Sequence, residues 1–106
     1  MARTKKAEAA AHDDGPARFA TVAQAIETLT PSLPIYALYP KRIARAVKKF
    51  MSGFPGRTLY AVKANPAPPL LDLIYKAGLR DFDTASLPEV KLIAERYRDA
   101  TCHFMA

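Results

Sequence analysis

The sequence predicts an α/β fold of parallel strands joined by helical crossovers, and three observations carry that expectation. From residue 58 onward, short apolar runs alternate with amphipathic stretches of about ten residues. Each amphipathic stretch is punctuated like a helix: prolines precede the first, Gly78 follows it, and the Ser86-Leu87-Pro88-Glu89 spacing opens the second. The 106-residue chain is half hydrophobic and one-quarter charged, which suits one small packed domain and excludes disordered, collagenous or disulfide-rich classes.

In chain order, residues 1–16, MARTKKAEAAAHDDGP, begin basic, but Glu8, Asp13 and Asp14 interrupt a short alanine run. That pattern argues against a secretory signal or transit peptide and reads as a disordered leader. Residues 17–57 read as a helix, an extended segment and a second helix. Phe19, Val22, Ile26 and Leu29 recur at steps of three, four and three, which predicts a helix over 18–29 stopped by Thr30-Pro31. Pro34-Ile35-Tyr36-Ala37-Leu38-Tyr39-Pro40 is too short for a helix and rich in β-favouring types, so it reads as a strand or extended segment. Ile43, Val47, Phe50, Met51 and Phe54 then form the stripe of an amphipathic helix, closed by Ser52-Gly53-Phe54-Pro55-Gly56.

Residues 58–106 carry the regular pattern. A strand over 58–64 leads to a helix over 66–77 with Leu70, Leu71, Ile74 and Ala77 on one side. A strand over 80–85 follows, then a helix opened by the Ser86/Glu89 capping box, with Leu87, Val90, Ile93, Ala94 and Tyr97 inward and Lys91 and Glu95 outward. Residues 101–106, with Cys102, Phe104 and Met105, begin a third strand. A β-α-β-α-β series implies parallel strands and right-handed crossovers, in either a doubly wound sheet or a (β/α)8 barrel. Three strands are too few for either, and a barrel takes about 250 residues, so the chain reads as the front piece of a larger enzyme.

Several function classes fall away. Cys102 is the single cysteine, so no internal disulfide is available and a cytoplasmic location is expected, with Cys102 itself a core residue. No apolar run approaches the roughly 18 residues of a membrane span. The net charge of +6 is concentrated in Lys41, Arg42, Arg45, Lys48, Lys49 and Arg57, with no acid between them. On the amphipathic helix these residues read as its solvated face, with an anionic-partner surface as the competing reading and no nucleic-acid motif beside it. Glycine-rich phosphate-loop motifs are absent, His12 lies in the leader, and Cys102-His103 lacks zinc-ligand spacing, so no metal is expected.

The run Leu59-Tyr60-Ala61-Val62-Lys63-Ala64-Asn65-Pro66 places a charge at the end of an otherwise apolar strand. Alternation predicts Leu59, Ala61 and Lys63 on one face, with Asp81, Asp83 and Ala85 sharing a face of the next strand. Lys63 and Asp83 then stand near strand C-terminal ends, where both α/β architectures place their chemistry. A lysine among apolar groups is a candidate nucleophile for Schiff-base chemistry. A strand-end charge reaching solvent, and a turn-capping aspartate, are the readings that spacing alone favours.

Tyr60-Ala61-Val62-Lys63-Ala64-Asn65-Pro66, the later Phe82-Asp83-Thr84-Ala85-Ser86 with Glu89, and His103-Phe104-Met105-Ala106 resemble the ornithine/lysine/diaminopimelate/arginine decarboxylases, fold-type III enzymes dependent on pyridoxal 5'-phosphate. The resemblance runs from about residue 34 to the end, and the Phe-Asp-Thr-Ala-Ser form is closer to the ornithine and lysine branch. It implies a pyridoxal-phosphate-binding (β/α)8 barrel in which Lys63 forms the Schiff base with the cofactor aldehyde, Ala61 lies under the cofactor and Asp83 lies beside both. It further implies decarboxylation of a basic α-amino acid to an amine, a place in polyamine biosynthesis, and a homodimer of the full-length protein, with no nucleic-acid or membrane partner. The family's stacking histidine, glycine-rich phosphate loop, pyridinium-pairing acid and partner-contributed residues match nothing in this sequence, and the 106-residue piece alone is expected to be inactive. Racemase-like relatives, a non-catalytic homologue retained for partner binding, and an anion-binding module built on the basic helix are the competing readings.

Overall fold

Burial of one face of a short parallel sheet organises the chain from Leu38 onward. The computed structural model describes residues 16–104, so the leader expected over 1–16 lies outside them but for its last residue, and the described chain divides into two units, one ending at Ala37 and the other beginning at Leu38. In the first unit, α1 (Val22–Leu29) begins where the Thr21 hydroxyl accepts the Gln24 N–H at 3.1 Å. That cap starts the helix later than the expected residue 18, because an N-cap residue must itself be extended. Thr30 ends α1 in the left-handed region, φ 39°, with its N–H bonded to the Ile26 carbonyl.

In the second unit, α2 (Pro40–Gly53) starts with proline at its first turn, where the missing N–H costs nothing. The Pro34-to-Pro40 segment joins no ladder among the described residues: its end prolines lack donors, and Pro40 is already helical. The sheet consists of β1 (Tyr60–Ala61), β2 (Asp81–Thr84) and β3 (Thr101–Phe104), parallel and in the order β1-β2-β3. The register pairs Tyr60 with Phe82, Ala61 with Asp83, and Asp83 with His103. The crossovers are α3 (Pro68–Lys76) and α4 (Leu87–Arg96).

The first strand is shorter than the expected 58–64. After Ala61 the chain tightens into a 3-10 turn, Val62–Ala64. The Tyr60 hydroxyl donates to the Asn65 carbonyl at 3.0 Å, and Asn65 Oδ1 accepts the Ala67 N–H at 3.0 Å. An asparagine side chain that bonds the backbone two residues on replaces the strand ladder with a turn.

The helix ends follow the sequence signals. Gly78 adopts φ +116°, a conformation open to glycine and strained for other residues. Its N–H bonds to the Tyr75 carbonyl and that of Leu79 to the Ile74 carbonyl, the paired bonds of a Schellman ending, with Leu79 and Ile74 both buried. At the start of α4, Ser86 Oγ accepts the Glu89 N–H, while the Glu89 carboxylate accepts the Ala85 N–H at 3.0 Å, one residue upstream of the usual return bond.

The core comprises Val62, Leu71, Ile74, Leu79, Phe82, Ile93 and Tyr97, with Ile43 and Val47 of α2 and Cys102 of β3 packed against it. α3 and α4 therefore cover the sheet face that carries Phe82 and Cys102. Of the residues expected inward on α4, Ile93 and Tyr97 are buried and Val90 is half-buried, but Ala94, turned one position past Ile93, is exposed, and Leu87 is 65% exposed because it lies in the first turn, past the edge of the core.

Two polar junctions clip the helices together. Arg96 makes a two-point contact with Asp72, Nε to Oδ1 at 2.9 Å and a terminal nitrogen to Oδ2 at 2.8 Å, and the Tyr97 hydroxyl donates to the same carboxylate. The Arg80 guanidinium lies 3.7 Å from the centroid of the Tyr75 ring, which stacks on Tyr97 at 4.4 Å, and Tyr97 lies 5.9 Å from Phe82. The column runs from a surface cation into the core.

The outward face of α2 is less economical. Lys41 and Arg45, and Arg45 and Lys49, repel at i,i+4, each pair costing about 0.2–0.5 kcal/mol. No acid stands in the first turn to complement the helix dipole.

Phe82→Ala is expected to cost about 3–5 kcal/mol in urea denaturation, as for other buried aromatic truncations, whereas Leu87→Ala is expected to stay within about 0.5 kcal/mol. Asp72 is held below its ordinary value of 3.8, chiefly by its hydrogen bonds from Arg96. A carboxylate with a depressed folded pKa stabilises fully above its unfolded value and loses that contribution as pH falls through the folded value. The stability gap between the natural chain and Asp72→Asn is therefore expected to be flat at pH 5–7 and to close below about pH 4, measured as urea midpoints across pH.

Candidate active site

With both crossover helices on the Phe82 face, alternation assigns Asp81, Asp83 and His103 to the opposite, open face. The parallel register sets Ala61, Asp83 and His103 in one row across the three strands, close to their C-terminal ends. A neighbouring set of charges runs the same way. His103 Nε2 lies 2.9 Å from Asp81 Oδ1, and an Arg57 terminal nitrogen approaches the same oxygen at 3.5 Å. The buried Thr84 hydroxyl donates to the His103 carbonyl at 3.1 Å, holding β3 against β2 at this level.

Beside this row is a hollow of about 330 Å³ lined by Phe50, Phe54, Arg57, Thr58, Leu59, Ala61 and Asp83. The aromatic wall comes from the end of α2, with ring centroids 5.9 Å apart. The Thr58 hydroxyl is buried without a hydrogen-bond partner among the described residues. Such a group is uncommon in a folded protein. Asp83 has no ion pair among the described residues, while Asp81 is shared between Arg57 and His103.

The three residues singled out from sequence divide. Ala61 and Asp83 are brought together, paired in register and lining one hollow. Lys63 is not on that wall: it is exposed, within the 3-10 turn, and the expectation that it shares a strand face with Ala61 fails because the strand ends at Ala61. It remains two residues along the chain, with its Cα at most about 7.6 Å from that of Ala61. No ion pair holds its amine among the described residues.

The sequence reading does not single out His103 and Arg57: alternation puts Thr101 and His103 on one face of β3, but the register that sets His103 beside Asp83 comes from the structure. Cys102, expected in the core, is half-buried against it, and burial pushes its thiol pKa up. Burial likewise raises the Tyr60 phenol. No group of three or more histidine, cysteine, aspartate or glutamate side chains converges to hold a metal among the described residues, and no helix among them is long and apolar enough to cross a membrane.

No protein-family model matches the chain, and no curated protein and no solved structure shows significant similarity to it.

Because Asp81 joins Arg57 and His103, Asp81→Ala is expected to lose about 1 kcal/mol of stability by urea denaturation. Arg57→Ala, which removes one exposed and longer contact, is expected to lose at most about half of that.

Proposed function

We propose that this chain supplies the lysine-bearing part of a pyridoxal-phosphate-dependent decarboxylase acting on a basic α-amino acid of the ornithine or lysine type. The observation that carries the proposal is the in-register pairing of Ala61 with Asp83 on the wall of one hollow, two residues from an amine that no described carboxylate neutralises.

The residues present suit the group in their chemistry. Lys63 offers the primary amine that an aldehyde requires, on a flexible four-carbon stem in the neighbouring 3-10 turn. Ala61 carries the smallest side chain that keeps a Cβ, which leaves room for a flat ring above β1. Asp83 presents a carboxylate to the same space, able to accept a hydrogen bond and to favour a cationic neighbour. Phe50 and Phe54, both largely exposed, give one side of the hollow an apolar wall. When bound, pyridoxal phosphate supplies the electron sink that accepts the pair released as carbon dioxide leaves. The chain's own contribution is to hold and orient.

The test is incubation of the full chain with pyridoxal phosphate, borohydride reduction and peptide mapping by mass spectrometry. The expected result is one dominant reduced adduct at Lys63, lost in Lys63→Arg and weakened several-fold in Asp83→Ala. Label spread over the surface lysines in proportion to their exposure would sink the proposal.

A further inference from the structure

Arg57 lines the same hollow as Asp83, and the decarboxylase reading gives it no part. Its guanidinium makes one ionic contact among the described residues, with Asp81 Oδ1, and at 3.5 Å that contact is too long to satisfy a donor well. Two other arginines of the second unit are held differently: Arg96 grips Asp72 at 2.9 and 2.8 Å, and Arg80 donates to Asp99 at 3.0 Å. The acids divide in the same way. Asp72 and Asp99 accept hydrogen bonds and Asp81 lies against His103, whereas the half-buried Asp83 has no ion pair among the described residues.

The hollow therefore holds a cation and an anion that the sheet keeps from pairing with each other. The guanidinium stands level with Asp81, and Asp83 follows two residues later, about 6.6 Å further along β2. A simple amine would match Asp83 and leave the guanidinium unanswered. A simple carboxylate would do the reverse. An ammonium and a carboxylate on one carbon, each making a contact of about 2.8 Å, bridge a gap of this size, and charges at the two ends of a longer chain overshoot it. Phe50 and Phe54 leave an apolar wall for the remainder of such a ligand.

We infer that Arg57 and Asp83 bind the zwitterionic end of an α-amino acid, with its carboxylate on Arg57, its ammonium on Asp83 and an aliphatic stem along Phe50 and Phe54. The amine then lies toward the C-terminal end of β2, the end of the sheet at which the chain leads on from Ala61 to Lys63. The inference deepens the decarboxylase reading and rests on it for what becomes of the amino acid. Binding itself requires neither the cofactor nor Lys63.

The probe is L-norleucine, titrated into the full chain at neutral pH and low salt without pyridoxal phosphate and followed by backbone amide shifts in NMR. The comparison ligands are n-pentylamine, which lacks its carboxylate, hexanoate, which lacks its amine, and 6-aminohexanoate, which moves the two charges apart. L-Norleucine is expected to bind about tenfold more tightly than any of the three, with shifts centred on Arg57, Ala61 and Asp83. Arg57→Gln is expected to bring its affinity down to that of n-pentylamine, and Asp83→Asn to that of hexanoate, with the amide spectrum of the fold preserved. Equal binding of any comparison ligand to the natural chain, shifts spread over the basic residues of α2 instead of the hollow, or no saturable shift with L-norleucine overturns the inference. Because the titration contains no cofactor, its failure leaves the Lys63 adduct standing, and failure of that adduct leaves the titration standing.

Discussion

The ring of Phe82 has to leave water, and the route by which it does so determines how the rest of the second unit is arranged. It stands on the middle strand of three and is fully buried. To close over it, the chain must cross from β1 to β2 and from β2 to β3 on the same side of the sheet, bringing Leu71 and Ile74 of α3 and Ile93 of α4 onto one face. Right-handed crossovers between adjacent parallel strands in sequential order deliver that arrangement. The Tyr97 and Tyr75 rings extend the same packing outward until Arg80 covers it at the surface. The Asp72, Arg96 and Tyr97 junction then links the two helices across their exposed edge.

Covering one face in this way leaves the other open, and the sequence has filled it accordingly. Where β2 turns Phe82 and Thr84 inward it turns Asp81 and Asp83 outward, and β3 contributes His103 to the same side. A parallel sheet is ordinarily covered on both faces by apolar residues. Here the uncovered face carries carboxylates, an imidazole and a guanidinium, with Asp81 in contact with both His103 and Arg57. These are groups that favour hydration or a polar ligand over an apolar lid. The aromatic pair from α2 borders this surface on one side only, producing a hollow with unlike walls.

How much of this was legible depended on whether a feature was local. The Ser86/Glu89 cap, the Gly78 ending and the proline start of α3 are encoded within four or five residues and are read directly. The parallel direction of the strands follows from crossover length, and the face of Ala61 and that of Asp83 follow from alternation, whereas the register that pairs them is seen only in the structure. The end of β1 was not legible, because it depends on the Tyr60 hydroxyl finding the Asn65 carbonyl and on the Asn65 side chain completing a turn, both invisible to a period-two pattern. Lys63 was displaced from its expected face for that reason. The exposure of Leu87 has a similar origin: helical periodicity gives a direction for a side chain but says nothing about whether the core extends far enough to meet it.

The turn that shortened β1 also changes the thermodynamic character of Lys63. The residue before it, Val62, is fully buried, and the chain beyond it is tied by the contacts around Asn65. Backbone freedom at this point has already been surrendered in folding, and what remains to the amine is the rotation of its own stem. Fixing a lysine side chain in a single pose costs about 1.5–2 kcal/mol, against a further 1–2 kcal/mol or so for each backbone residue that would otherwise have to be ordered at the same time. A partner for the amine therefore meets the smaller entropic cost alone, and the tight turn acts as a pivot on which the side chain searches a small volume.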